Sequence, residues 1–185
     1  MENFDMAVKE KQQQDHVDRW LDEAHEFWGL PHLDKAVEGI VNRINGLNRR
    51  FKRSLEETLS EYGLSHGDWE VLGALSRAGP PYRRSAGQLA DRCDCSSGAM
   101  TNRLDQLEAR RLVRRLRDPS DRRGVLVELT PKGRKTWDES VDAQAEKESL
   151  IAAALTDREK EQLNALLRRL MLEFERREQK SEQKA

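Results

Sequence analysis

The chain has 185 residues, of which 36% are hydrophobic and 36% charged, and its formal net charge is −1 at pH 7. This length suits about one domain, and the high charge favours long amphipathic helices with much exposed surface. No apolar run approaches the ~18 residues of a membrane span, and the N-terminus lacks the apolar centre of a signal peptide, so we expect a cytoplasmic protein.

Two helices are predicted at the start of the chain. The polar segment from Ala7 to Trp28 carries apolar residues at helical spacing from Val17 onward, and the glycine and proline that follow end it. The segment from Asp34 to Tyr62 has apolar residues at steps of three and four, which predicts a long amphipathic helix. Gly63 is suited to cap its C-terminus, because glycine tolerates the left-handed backbone that such caps adopt.

A third helix, from Ser65 to Arg77, is followed by two short helices. Ser85 begins the first short helix, with Gln88 at the reciprocal position of a capping box. Ser96 or Ser97 begins the second after a brief turn. Two short helices joined in this way predict a helix-turn-helix.

The second short helix, from about Gly98 to Arg110, has two distinct faces. Apolar residues at i, i+4 and i+7 predict one buried stripe, formed by Met100, Leu104 and Leu107. The other face carries small or hydrogen-bonding side chains near the helix N-terminus, which allow close approach to DNA and pairing with base edges. The candidate DNA contacts on this helix are Ser97, Thr101, Asn102 and Arg103.

A basic β-hairpin is predicted next. Its strands, Leu112–Arg117 and Val125–Leu129, flank the turn sequence Asp118-Pro119-Ser120-Asp121. From Arg103 to Arg123 there are eight arginines and four acids, a local net charge of +4 in a chain whose net charge is −1. A solvated hairpin would also account for the charge alone, but the adjoining helix-turn-helix favours a phosphate-binding surface. Arg117, Arg122 and Arg123 are the candidate DNA contacts of this wing.

Two further helices close the chain. Thr130 caps one that starts at Pro131 and reaches about Ala154, and Thr156 caps another that ends at Arg176 before a solvated tail. Their narrow apolar stripes have no obvious partner in a single chain, so we expect a two-fold homodimer that binds palindromic double-stranded DNA. The predicted fold is mainly α, a winged helix-turn-helix of long helices plus a small β-hairpin wing.

We expect three regions. Residues 1–32 form an N-terminal extension with an additional helix, residues 33–62 and 131–185 form the helical dimerisation region, and residues 63–130 form the winged helix-turn-helix lobe. The stretch from Thr101 to Arg134 resembles the MarR family of transcription regulators: Asp118–Arg123 corresponds to its DxxDRR wing tip and Leu129–Gly133 to its LTxxG motif. The resemblance covers about Leu33 to Phe174 and implies a DNA-binding regulator, which we expect to be a repressor.

The additional N-terminal helix resembles a MarR branch that responds to urate or other small organic anions. That resemblance implies a ligand pocket made by Trp20, Glu70, Arg103 and Arg115. The family usually has aspartate at the position of Glu70, so a citrate- or aconitate-like acid is an alternative to urate, and Asp68 is a second candidate for the acid. We expect the anion to draw an arginine partner away from Glu70. This would move the second short helix, which is the recognition helix of the helix-turn-helix, and release DNA.

Two other functions stay open. Cys93 and Cys95 suit neither an ordinary disulfide nor a zinc site; they are either structural thiols or a redox sensor in which Arg92 lowers a thiol pKa. A helical interaction scaffold that does not bind DNA is the second alternative. The four histidines form no metal-ligand pattern, and phosphate-loop and nucleophile motifs are lacking, so we expect no metal site, no cofactor and no enzyme activity.

Overall fold

The computed structural model describes residues 14–27, 34–118 and 124–182, without the side chains of residues 25–27. The chain divides into two compact units, residues 1–57 and 58–185. Within the described ranges, no helix combines the length and apolar character that crossing a membrane requires. The elements are α1 (His16–Phe27), α2 (Lys35–Glu61), α3 (His66–Ser76), β1 (Arg83–Ser85), α4 (Ala86–Arg92), α5 (Ser97–Ala109), β2 (Val113–Arg117), β3 (Val125–Leu129), α6 (Pro131–Ala152) and α7 (Asp157–Glu182).

In the first unit, α1 packs against α2. Gly39 of α2 lies beside Leu21 of α1, because a Cβ atom at Gly39 would make an ordinary contact, at 3.6 Å, with a methyl carbon of Leu21. The buried face of α1 consists of Val17, Leu21 and Ala24. Asp15 caps α1 and also pairs with Arg43 of α2 at 3.0 Å. The additional helix is therefore joined to α2 by both apolar packing and an ion pair.

The second unit contains a three-stranded antiparallel sheet of strand order β1-β3-β2. Strands β2 and β3 form the predicted hairpin, with Val113 opposite Leu129 and Arg117 opposite Val125. The third strand, β1, was not expected from the sequence. Its three residues pair with Glu128–Leu126 of β3. A segment this short has no periodicity of its own and becomes a strand through that pairing.

The hydrophobic core of the second unit lies between the sheet and helices α3, α4 and α5. The predicted stripe of α5 is confirmed, because its three apolar side chains are at most 1% exposed. The core residues with the least exposure include Val71, Leu72, Leu75, Leu89, Met100, Leu104, Leu107, Leu112, Val113 and Val127. This core fixes the backs of the recognition helix and the wing, so their other faces point outward.

Local signals place the helix ends as expected. Ser65 and Ser85 each form a full capping box, with Asp68 and Gln88 as the reciprocal residues. Gly63 has a φ of +63°, the left-handed conformation predicted for a C-cap. The caps of α5 and α6 are Ser96 and Thr130.

The last helix is longer than expected. Helix α7 continues to Glu182, so the predicted end at Arg176 is wrong, while residues 177–182 are exposed to solvent as predicted. Ion pairs from Glu173 to Arg176 and Arg177 follow the i, i+3 and i, i+4 spacing that stabilises exposed helices. None of the residues described in α7 is buried, although the helix carries many apolar side chains.

Candidate nucleic-acid interface

The helix-turn-helix is built by α4, a tight turn and α5. Asp94 has a φ of 44°, which reverses the chain, and aspartate tolerates this left-handed conformation better than most residues. The backbone N–H of Cys95 donates to the carbonyl oxygen of Ala90, which closes the turn. The Ser96 hydroxyl then accepts the N–H of Ala99 at 3.2 Å and starts α5. The N-terminus of α5 is therefore held in place by the turn that precedes it.

The outward face of α5 carries polar side chains suited to a major groove. Ser97, Thr101 and Asn102, which were predicted as DNA contacts, are all exposed. The Thr101 hydroxyl donates to the Ser97 carbonyl oxygen at 2.9 Å, which leaves its lone pairs available. Gln106, one turn after Asn102, is also exposed. It was not predicted as a DNA contact, although its i+4 spacing from Asn102 places it on the same face of the helix. Both carboxamides suit pairing with adenine.

Arg103 lies on a different flank of α5, against α3. A Cβ atom at Gly67 would lie 2.2 Å from Cζ of Arg103, so the guanidinium packs directly on the glycine backbone. Its Nη1 atom is buried and has no hydrogen-bond partner among the described residues. A buried charged donor without an acceptor is costly, because removal from water is not offset by a new bond. This placement fits an internal anion better than a DNA base.

The wing arginines are placed differently from one another. Arg117, a predicted DNA contact at the end of β2, is exposed. Arg122 and Arg123, the predicted contacts at the wing tip, lie outside the described residues.

On the outer face of the sheet, Arg83 of β1 and Arg114 of β2 both pair with Glu128 of β3. Burial acts to raise the pKa of Glu128, but the hydrogen bonds from both arginines outweigh it and lower the pKa.

Arg115 points toward α5 rather than into solvent. Its guanidinium pairs with Asp105 and with Glu108, each at 2.7 Å. These partners could not be predicted from the sequence, since they depend on how β2 packs against the helix. Arg115, which the resemblance assigns to a ligand, is thus engaged by two carboxylates of the recognition helix.

The acid of the implied ligand pocket has a different partner from the expected one. We expected an arginine beside Glu70, but Glu70 faces His66 at 3.5 Å, one turn earlier in α3. Among the described residues there is no ion pair between Glu70 and Arg103. Asp68 is committed elsewhere, because it accepts the N–H of Ser65 and lies 3.6 Å from Arg110. Glu70 therefore remains the candidate acid.

The fourth residue of the implied pocket belongs to the first unit. Trp20 is half-buried in α1. Glu70, Arg103 and Arg115 belong to the second unit. The contribution of Trp20 to ligand binding therefore stays a prediction.

The environment of Cys93 does not favour a reactive thiolate. Burial raises the pKa of this thiol and the charge of Glu70 raises it further, while Arg103 and Arg77 act in the opposite direction. The net effect raises the pKa of Cys93, so the lowering expected from Arg92 is not found at this thiol. Both cysteines are free thiols. The described residues also bring no three His, Cys, Asp or Glu side chains together for a metal ion.

Comparisons with known proteins agree with this architecture. A family model described as the MarR family matches residues 62–124. The HTH-type transcriptional regulator PecS of Dickeya dadantii (strain 3937) is 30% identical over 156 residues, which cover 84% of this chain and 90% of PecS. The multiple antibiotic resistance protein MarR of Salmonella typhimurium is 34% identical over 89 residues, which cover 47% of this chain and 58% of that protein.

Solved structures show the same fold. A mutant MarR from E. coli, complexed with operator DNA, superimposes with a TM-score of 0.57 at 27% identity, covering 71% of this chain and 92% of that one. The YusO protein from Bacillus subtilis has a TM-score of 0.67 at 22% identity, covering 75% and 96% of the respective chains. With the exposed recognition helix, the basic wing and the similarity to PecS, these findings establish that the chain belongs to the MarR family of winged helix-turn-helix transcription regulators.

Proposed function

We propose that this regulator is a repressor that a small organic anion releases from its operator. The observation that carries the proposal is the buried, unpartnered Nη1 of Arg103, which lies on the recognition helix itself. Gly67 belongs to the first turn of α3, where the helix dipole also favours negative charge. An anion bound here would accept a hydrogen bond from Nη1 of Arg103, which the described protein groups leave without an acceptor.

The release mechanism is a thermodynamic linkage. An effector that prefers the DNA-incompetent arrangement shifts the population toward it, and a hundredfold preference corresponds to about 2.7 kcal/mol. Because Arg103 bridges α5 and α3, an anion held by Arg103 acts directly on the position of the recognition helix. Arg115 already pairs with two carboxylates, so an anion that took it would have to displace them. Urate and citrate- or aconitate-like acids are the candidate effectors.

We also propose that the regulator acts as a homodimer on a palindromic site, an assembly that is typical of the family. The apolar side chains of α7 support this: Leu166, Met171 and Phe174 are each more than half exposed. A helix face with several large exposed apolar side chains normally becomes an interface, because burying it removes apolar area from water. Two recognition helices would then meet half-sites about one helical turn, ~34 Å, apart.

The test starts with the DNA. Preferred duplexes are selected from a random-sequence library with the wild-type protein, and binding is followed by fluorescence anisotropy at several salt concentrations. Specific binding with a steep loss of affinity at higher salt is expected from several phosphate contacts. An Arg122→Ala variant should weaken binding. Sequence-independent or absent binding at low salt would favour the helical scaffold instead.

Urate, citrate and aconitate are then titrated into the complex with the selected duplex. At least one should dissociate it, and Arg103→Gln should abolish the response while the protein still binds DNA. Trp20→Phe and Arg115→Ala test the other residues of the implied pocket. A reporter gene under the selected site, with and without the regulator, tests repression. If none of the acids dissociates the complex, or if Arg103→Gln responds like wild type, the effector site is wrong.

A further inference from the structure

One wing residue ties the wing to the recognition helix. The Arg115 guanidinium lies 2.7 Å from a carboxylate oxygen of Asp105 and 2.7 Å from one of Glu108, and it donates to the carbonyl oxygen of Thr101 at 3.3 Å. The backbone N–H of Arg115 also donates to Glu108, at 2.8 Å. Glu108 therefore holds both the main chain and the side chain of the same residue in β2.

The contact with Glu108 is partly shielded from solvent, whereas the carboxylate of Asp105 is 57% exposed. The side chain of Arg115 is 27% exposed and that of Glu108 38% exposed. Partial burial acts to lower the pKa of Arg115, but the hydrogen bonds with Asp105 and Glu108 outweigh it and raise the pKa. The guanidinium stays charged, and its planar donors fix a geometry that a flexible surface pair would not hold.

The partners of Arg115 form one flank of α5. Thr101, Asp105 and Glu108 follow the i, i+4, i+7 spacing, so they line the same side of the helix. Asn102, with its exposed side chain, is adjacent to this flank. Two carboxylates beside a DNA-binding face oppose association through repulsion from phosphates. A structural role that offsets this repulsion would explain why the two carboxylates lie there, and their contacts with Arg115 of the wing are such a role.

We propose that Glu108, assisted by Asp105, is a positioning residue for DNA binding that fixes strand β2 to the recognition helix. Arg117 lies two residues after Arg115 on β2, so this contact fixes the separation between a wing side chain and the groove-facing side of α5. Wing and helix then meet the duplex as one preorganised surface, which lowers the ordering cost of binding. The inference concerns DNA binding alone and does not rest on the effector proposed above.

The charge of Glu108 and its positioning role predict opposite changes in DNA affinity, so Glu108→Gln distinguishes between them. Loss of a negative charge near DNA would tighten binding, whereas loss of the contact should weaken it. Glutamine retains an oxygen for the backbone N–H of Arg115, so the change removes mainly the charged pair. Glu139→Gln is the matched control, because Glu139 forms an exposed pair with Lys135 on α6 at 3.7 Å. We expect Glu108→Gln to weaken binding by about threefold to tenfold.

A double-mutant cycle with Arg117→Ala separates positioning from simple destabilisation. Affinities for the selected duplex are measured for wild type, Glu108→Gln, Arg117→Ala and the double variant. If Glu108 positions the wing, Arg117→Ala should cost less in the Glu108→Gln background than in wild type. Thermal unfolding of each variant checks that the fold is intact, and Glu108→Ala provides a second variant that also removes the backbone acceptor.

The outcomes are distinct. Weaker binding with a non-zero coupling between positions 108 and 117 supports the proposal. Unchanged or tighter binding in both Glu108→Gln and Glu108→Ala overturns it, as does strict additivity with Arg117→Ala. If the wild-type protein selects no duplex, the failure is that of sequence-specific DNA binding, which is distinguishable from a failure of the positioning role.

Discussion

The backbone of Gly133 lies so close to the carbonyl oxygen of Leu112 that a Cβ atom at position 133 would be 1.9 Å from it. The same carbonyl accepts the N–H and the hydroxyl of Thr130. The Thr130 hydroxyl oxygen in turn accepts the N–H of Gly133 at 3.0 Å. This relationship gives a physical reason for the LTxxG motif: threonine caps α6, and glycine lets the helix start against the base of the wing.

Gly133→Ala is therefore expected to destabilise the protein. The added methyl group meets backbone rather than a flexible side chain, so α6 or the start of β2 must move, at a cost of about 2 kcal/mol or more. Urea denaturation measures the change in the free energy of unfolding. Gly98→Ala is the control, because a Cβ atom at Gly98 meets nothing within 4 Å. Equal stability of Gly133→Ala and wild type would contradict this packing.

Gly67→Ala tests the effector site without changing Arg103. The new methyl would lie 2.2 Å from Cζ of Arg103, and the flexible guanidinium is the group that moves away. We expect DNA binding to persist and the response to urate, citrate or aconitate to be lost, as measured by anisotropy. Gly87→Ala is the control, since its added methyl would make only an ordinary contact, at 4.0 Å from the Ser85 hydroxyl oxygen. A full response in Gly67→Ala would count against Arg103 as the anion site.

Glu128 is expected to make stability depend on pH in the acid range. Its folded pKa is lowered below the ordinary value of 4.5, because the hydrogen bonds from Arg83 and Arg114 outweigh burial. The contribution of Glu128 to the free energy of unfolding is therefore fully present above about pH 4.5. It is lost as the pH falls through the lower pKa of the folded state. Urea titrations between about pH 3 and 7 should show a smaller loss of stability with acid in Glu128→Gln than in wild type. Identical slopes would contradict the assignment.

Cys93 is expected to react slowly with alkylating agents and peroxide at neutral pH. Burial and then the charge of Glu70 raise the pKa of the thiol, so little thiolate is present. Iodoacetamide should modify Cys93 more slowly than it modifies glutathione at pH 7.5, with Cys95→Ser used to isolate the site. Peroxide should leave the DNA affinity of the Cys95→Ser variant unchanged. Peroxide-induced release that a thiol reductant reverses would instead establish the redox-sensing repressor.

Helix α7 offers a test of dimerisation that does not disturb the protomer core. Leu166 and Leu170 lie one turn apart and are 56% and 41% exposed. The double change Leu166→Asp, Leu170→Asp should leave each protomer folded but yield monomers in light scattering and weaken operator binding. Leu172→Asp is the matched control, because Leu172 is exposed on another side of the helix. A wild-type monomer at micromolar concentration would rule out the dimer.

Local sequence signals predict much of the architecture. The capping residues Ser65, Ser85 and Thr130 begin helices where the sequence predicted them, because capping depends on residues only three positions apart. The buried stripe of α5 and the two hairpin strands follow from periodicity and turn chemistry in the same way. The exposed placement of Ser97, Thr101 and Asn102 is the complement of that stripe.

The pairing of the charged side chains depends on tertiary packing. The sequence holds Arg115, Asp105 and Glu108, but their pairing depends on how β2 packs against α5. We also expected an arginine beside Glu70, but the neighbour in the fold is His66. Strand β1 was not predicted, because it forms through its pairing with β3. Periodicity and capping act over one or two helical turns, whereas these contacts join residues that come together only when the core forms. Local sequence signals therefore predicted the elements and the exposed face of the recognition helix, whereas packing set the environments of Arg103 and Arg115.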